Sequence, residues 1–254
     1  MISIKQGAEI DGMRRSGAAV GAILEKVAAV LEPGMTTREV DSFAAEQIRA
    51  AGARSAFLNY RGFPGNICIS VNEEVVHGIG GSRRLQLGDI VKLDIGIVKD
   101  GWIGDTATTV PVGMADPAVT KLLEVTRASL YEGIAQAKEG NRVGDISSAI
   151  EKYVEKNGFT VVREFVGHGV GRKLHEEPQV PNFGSPRNGP KLKAGMTLAI
   201  EPMVNMGRAD VRILADGWTV VTTDGKKSSH FEHVVLVTEG EPEILTCPKA
   251  TASK

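Results

Sequence analysis

The chain has 254 residues, 42% of them hydrophobic, and a formal net charge of −1. That is enough apolar material for a sizeable core in one large domain or two fused halves, and the near-neutral charge gives no general attraction to nucleic acid or anionic membrane. The two cysteines, Cys68 and Cys247, stand far apart in no CxxC pattern, which excludes a disulfide framework and a cysteine-ligated zinc module and points to a reducing compartment. The opening Met1-Ile2-Ser3-Ile4-Lys5 lacks a basic segment followed by an apolar core, so no secretory signal is expected. The longest apolar stretches, such as Ala18–Val30, carry charge and are too short to span a bilayer. The expectation is a soluble cytoplasmic protein.

Ser3 with Gln6 resembles a capping box opening a first helix. Ile10, Met13, Gly17, Val20, Ile23, Leu24 and Val27 keep the helical period to about Leu31, where Pro33-Gly34 stops it. Thr36 with Glu39 opens a second helix that ends at Gly52. Residues 53–112 carry strand-like runs. A third helix is expected from Asp116-Pro117 towards Lys138, broken by Gly140, and a fourth from about Val143 to Asn157, closed by Gly158. Strand-like segments return at 160–166, 197–204, 211–214, 218–223 and 230–237. The tail Lys249–Lys254 looks loose.

This order repeats. At an offset of 106 residues, Gly34 falls on Gly140, Glu39 on Asp145, Val40 on Ile146, Ser42 on Ser148 and Gly52 on Gly158. The pattern predicts a pseudo-twofold duplication with halves of about 4–112 and 113–246. Helices would cover a curved, mostly antiparallel sheet in an α+β fold, with the site where the halves meet.

The runs Ile90–Val98 and Trp102–Val110 flank Lys99-Asp100-Gly101 and read as a β-hairpin with Asp94 in one arm and Asp105 in the other. Pairing symmetrically about Lys99 and Asp100 sets the aspartates directly opposite. A shift of two in the pairing sum leaves them diagonal on one face, and a shift of one separates them. Facing carboxylates in a buried hairpin require a cation between them, so the hairpin reads as half of a metal site.

The second half supplies the complement. Val161–Val166 reads as a strand running into Gly167-His168-Gly169-Val170-Gly171, where glycines on both sides allow an imidazole to be aimed. Met196–Val204 is an apolar strand with one carboxylate, Glu201, and Ser229–Val237 another with Glu232. A charged Glu inside such a strand is costly unless paired or bound to metal. Four carboxylates and one imidazole suit a pair of divalent ions such as Mn, Co, Fe or Zn, able to activate a water between them.

The ordered set Asp94, Asp105, His168, Glu201 and Glu232 resembles the dinuclear site of the pita-bread metallopeptidases. Val76-His77-Gly78-Ile79, Gly104-Asp105-Thr106, Gly167-His168-Gly169-Val170-Gly171, His175-Glu176-Glu177-Pro178 and Ile200-Glu201-Pro202-Met203 resemble the type I methionine aminopeptidases, over about residues 3–246. The resemblance implies removal of the initiator methionine from nascent chains when the next residue is small. In that assignment Asp94 holds one metal, His168 and Glu201 the other, and Asp105 and Glu232 bridge. Water activated between the ions attacks the peptide carbonyl, and Glu201 passes its proton to the leaving amine. His175 bonds the carbonyl or developing oxyanion, and His77 contacts the peptide near the leaving nitrogen. The methionine pocket would use Phe57, Tyr60, Phe63, Cys68, Phe165, Leu174 and Trp218, of which Phe57, Phe63 and Leu174 depart from the Cys, Tyr and Phe of bacterial relatives.

His230 stands where such enzymes usually carry Gln. Two residues before Glu232, it is read either as a partner behind the metal ligands or as a surface histidine. Only 25 residues separate His175 from Glu201, which leaves no room for the type II insertion, and no N-terminal extension is visible. Prolidases, aminopeptidase P and a non-catalytic binding module share the fold as alternatives. The expected partners are nascent N-termini, with transient ribosome contact through Arg83, Arg84, Lys191, Lys193, Lys226 and Lys227, by a monomer without membrane or specific nucleic-acid binding.

Overall fold

The computed structural model describes residues 2–247, and the tail expected to be loose lies outside them. In chain order the elements are α1 (Ala8–Ala29), α2 (Thr37–Ala50), β1 (Arg54–Ser55), β2 (Cys68–Val71), β3 (Glu74–Val76), β4 (Ile90–Lys99), β5 (Trp102–Pro111), α3 (Pro117–Ile134) and α4 (Val143–Lys156). Then follow β6 (Thr160–Val161), β7 (Gly167–Gly169), β8 (Glu176–Val180), β9 (Thr197–Ile200), β10 (Met203–Asn205), β11 (Val211–Ile213), β12 (Val220–Thr222), β13 (Ser228–His230), β14 (His233–Leu236) and β15 (Glu243–Ile244). The fold is α+β, and every ladder between these strands is antiparallel.

Local chemistry sets several boundaries as the sequence predicts. Thr36 Oγ1 accepts from Glu39 N while Glu39 accepts from Thr36 N, closing the capping box of α2. Asp116 caps α3 by accepting from Val119 N at 2.9 Å, with Pro117 in the first helical position. Gly52 and Gly158 follow α2 and α4 at φ 64° and 84°, a conformation that costs glycine nothing.

Other boundaries differ, each because a distant partner outbids the local signal. The first helix opens at Ala8 after Gly7, and no Ser3–Gln6 box forms. Residues 2–6 instead run extended: Lys5 N donates to Gly195 O at 2.8 Å, and Lys5 Nζ pairs with Glu176 at 2.7 Å. The third helix stops at Ile134, short of Lys138. Lys138 bridges Thr238, and Glu139 N donates to Thr238 O. The expected strand 160–166 shrinks to two residues, and His168 lies inside a short strand of its own. The strands expected at 197–204 and 230–237 are both interrupted, at Glu201-Pro202 and at Phe231-Glu232.

Helices α1 and α2 cover β2 and β4 through Val20, Ile23, Val40, Ile48, Ile69 and Leu93. Helices α3 and α4 cover β9 through Leu122, Leu130, Ile146, Ile150, Leu198 and Ile200. A third cluster, with Met13, Trp102, Val170 and Leu236, fills the space between. The sheet order β1-β4-β2, with β5 on β4, meets the order β15-β14-β9-β7-β8 at the bridge between Ala107 and Glu232. The site sits at this junction.

Candidate metal centre

The hairpin β4–β5 turns through Asp100 (φ 51°) and Gly101 (φ 77°), a two-residue turn of left-handed residues that suits strand twist. Its register pairs Asp94 with Ala107 and Asp105 with Gly96. The aspartates are therefore diagonal neighbours on one face, the second of the arrangements open to the sequence. Across the junction, Glu232 N donates to Ala107 O at 3.0 Å and Thr106 Oγ1 donates to Glu232 O at 2.8 Å, which brings the Glu232 carboxylate beside Asp105. Glu201 and Glu232 lie at breaks between strands, where the backbone is free of the pleat and can turn a carboxylate sideways.

The distances describe a tight cluster. His168 Nε2 lies 3.5 Å from Glu201 and 3.9 Å from Asp105. Ligand atoms of Asp105, His168 and Glu232 all fall within 4.8 Å of one another, with all three residues buried. His168 Nδ1 donates to the carbonyl of Gly169 at 2.9 Å, which fixes the tautomer and leaves Nε2 as the free base a metal needs. Asp94 is opposite Cys68 in the β2–β4 register, with the thiol donating to its carboxylate.

Electrostatics make this cluster costly to ionise without a counter-charge. Burial first, then repulsion from the neighbouring carboxylates, raises Asp105, Glu201 and Glu232 well above the usual carboxylate range. Burial raises Asp94 to about 7. Burial also lowers His168 to about 4, so its imidazole is neutral at physiological pH. Among the described residues, Asp105 Oδ1 is buried without a hydrogen-bond partner. Four acidic oxygen donors, one neutral nitrogen and an orphaned carboxylate oxygen fit divalent cations.

These residues form one end of a cavity of about 300 Å³. Every site residue expected from the sequence lines it: the five above with His77, His175, Phe57, Tyr60, Phe63, Cys68, Phe165, Leu174 and Trp218. His77 is held at φ 60° directly after β3, a strained backbone for a non-glycine residue, and Gly78 beside it approaches Ile69 so closely that a Cβ would lie 2.2 Å from its carbonyl oxygen. The His77 ring packs edge-on against Phe165 and Trp218, and burial lowers it to about 4. The Tyr60 hydroxyl is 2.8 Å from His175 Nδ1, and burial and then Arg61 lower His175.

Four further residues line the cavity: Arg61, Val76, Val166 and Met203. Val76 and Met203 stand in the same short motifs as His77 and Glu201, whereas Arg61 carries no signal short of the fold, since a loop arginine reads as solvated surface. His230 is 1% exposed with Nε2 3.8 Å from Glu201, which removes the surface reading.

The sequence matches metallopeptidase family M24 over residues 11–239. The chain belongs to that family. Methionine aminopeptidase 1 of Bacillus subtilis is 52% identical over 246 residues, covering 97% of this chain and 99% of its own. The crystal structure of a methionine aminopeptidase from Thermotoga maritima superposes with a TM-score of 0.95 at 46% identity, covering 97% of this chain and 99% of that one. That from Rickettsia prowazekii gives 0.96 at 38% identity, covering 97% and 100%. Within M24 the chain belongs with the methionine aminopeptidases, and its fold is the pita-bread fold of those proteins.

Proposed function

We propose that this chain removes the N-terminal methionine from nascent polypeptides whose second residue is small, in a reaction dependent on divalent metal. The observation that carries the reading is the convergence of four carboxylates, those of Asp105 and Glu232 buried, and a neutral imidazole on one aromatic-lined cavity, in a chain about half identical to a methionine aminopeptidase. Asp94, Asp105, His168, Glu201 and Glu232 would hold two ions. Bound there, the ions supply a Lewis acid and lower the pKa of water.

The chain's own groups supply the rest. Glu201, whose proton affinity is raised by burial and by Asp105 and Asp94, takes a proton from water and returns it to the leaving amine. His175, neutral and tethered by Tyr60, offers an N–H to the carbonyl oxygen when the Tyr60 hydroxyl donates to Nδ1. His77 lies against Phe165 at the cavity wall and contacts the peptide beyond the scissile bond. Phe57, Phe63 and Trp218 give an apolar, polarisable wall for a thioether. Of the basic residues considered for ribosome contact, Arg83 is already paired with Glu74 at 2.7 Å, and Arg84 donates to Gly34 O.

The test is hydrolysis by metal-stripped protein before and after addition of Mn or Co. Release of Met from Met-Gly-Met-Met, with Gly-Pro-Gly left intact, is the expected result. Cleavage of Gly-Pro-Gly instead, or no cleavage with any divalent metal, would overturn it.

A further inference from the structure

Lys92 is only 1% exposed, and no carboxylate forms a salt bridge with it among the described residues. Its ammonium instead donates to two backbone carbonyls, Asn72 O at 2.7 Å and Ser228 O at 3.1 Å. Taking an ammonium out of water is costly, and carbonyl dipoles are weaker compensation than an opposite charge. A methionine would fill the same space without that cost, so packing alone does not account for a lysine here.

The placement of the two acceptors does. Asn72 forms the tight turn between β2 and β3 at φ 55°. Its side chain pins the turn by accepting from Ile90 N at 3.0 Å and donating to Asp89 at 2.7 Å. Five residues on from Asn72 is His77. Ser228 opens β13, which runs to His230 and then Glu232. Lys92 lies on the same face of β4 as Asp94, two residues away. These strands belong to three different sheets: β4 to the order β1-β4-β2, β3 to β11-β12-β3, and β13 to β13-β10-β6. No ladder joins them. Single bonds stitch them together, including Ser228 N to Asn72 O at 3.0 Å and Thr109 Oγ1 to His230 O at 2.7 Å. Thr109 is itself the ladder partner of Lys92. One ammonium therefore ties together the three strands that lead into Asp94, His77 and Glu232.

We propose that Lys92 is a positioning residue for the metal centre, its ammonium fixing the relative placement of the three sheets that deliver those side chains. The inference rests on the reading of the centre given above. It assigns Lys92 no contact with metal or substrate. The outcome of losing it is a centre whose two sides sit at the wrong separation, in a chain that still folds.

The test compares Lys92→Met, which keeps the stem and loses both donors, with Val154→Ala, which thins the core under α4 far from the site. Both are loaded with Co(II) alone, followed by calorimetric titration, the d–d absorption of the bound ion, and thermal melting. Lys92→Met is expected to weaken Co(II) binding by about tenfold or more and to change the d–d spectrum. Val154→Ala, for a comparable loss of melting temperature, should keep the wild-type affinity and spectrum. Should Lys92→Met fail to fold, Lys92→Arg decides: its bulkier head spreads the two carbonyls, and the same weakening and spectral change are expected. Wild-type affinity and spectrum in Lys92→Met, or in Lys92→Arg where that variant decides, would overturn the proposal. So would an equal loss in Val154→Ala. Failure of the wild type to bind Co(II) would instead overturn the reading of the centre itself.

Discussion

His175 shows how much of a side chain's function is set by what holds it. Its Nδ1 meets the Tyr60 hydroxyl, its ring lies 4.4 Å from that of His168, and Arg61 adds to burial in keeping it neutral. Replacing it by Ala is expected to lower kcat by ~10²–10³-fold with bound metal and melting temperature unchanged, since the role proposed for it is to bond the substrate oxygen and not the ions. An equal loss of metal on dialysis would contradict that role. Arg61→Ala removes a cation that depresses the imidazole, so the His175 pKa rises and the acid limb of the kcat/KM profile moves to higher pH. A profile that stays in place would separate Arg61 from His175. At this scale the sequence is informative wherever a residue type is out of place: a carboxylate in an apolar run, or a histidine between glycines. Lys92 was equally out of place within Ile90–Val98, but its acceptors are backbone atoms 20 and 136 residues away, which residue identity does not encode. The same holds for His230, whose burial depends on β10 and on Thr109.

The hairpin β4–β5 is the element that sets the centre, and its register leaves no slack. Gly96 faces Asp105 across the ladder, and a Cβ there would lie 2.3 Å from Phe57 Cε1. Gly96→Ala must push the Phe57 ring off the cavity wall. The expected cost is ~1–3 kcal/mol of stability, with a higher KM for methionyl peptides and little change in metal affinity. An unchanged KM would show that Phe57 is not part of the methionine pocket. Elements whose ends depend on neighbouring residues were legible: the capping box of α2, the Asp116-Pro117 start of α3 and the Asp100-Gly101 turn. Elements whose ends depend on remote partners were not. The Ser3–Gln6 signal lost to Lys5 pairing with Gly195 and Glu176, and the end of α3 lost to Thr238. The strand breaks at Glu201 and Glu232 were also hidden, because an apolar run reads the same whether or not its backbone stays in the pleat.

Across the whole molecule, the buried carboxylates link metal, protons and stability. In the metal-free chain Asp94 rises to about 7, and Asp105, Glu201 and Glu232 rise well above their unfolded values. A carboxyl raised in the folded state holds its proton more tightly there than in the unfolded chain. Its stabilising share is full below about pH 4 and is lost as pH rises through the raised value. The metal-free protein should therefore melt at progressively lower temperature between about pH 5 and pH 8. Divalent ions replace those protons, so the gain in melting temperature on adding Mn or Co should be larger at the alkaline end. A gain independent of pH would show that the cluster does not release protons to the metal. The α+β class and a site where two halves meet could be read from punctuation, periodicity and the 106-residue repeat, whereas the pairing of the short strands could not, since antiparallel strands of two to five residues carry little register information of their own.

The bridge between Ala107 and Glu232 has a consequence for how the protein is made. Thr106 and Glu232, 126 residues apart, are bonded directly, and Asp105 and Glu232 share the centre. While the chain is being synthesised, the Asp94–Asp105 half emerges early and can form only an incomplete acidic pair. The last carboxylate, Glu232, arrives only after a further 127 residues beyond Asp105 have been translated. Assembly of the centre thus requires translation through residue 232: products terminated before it would lack the full ligand set, and so would be inert bystanders and not damaged enzymes.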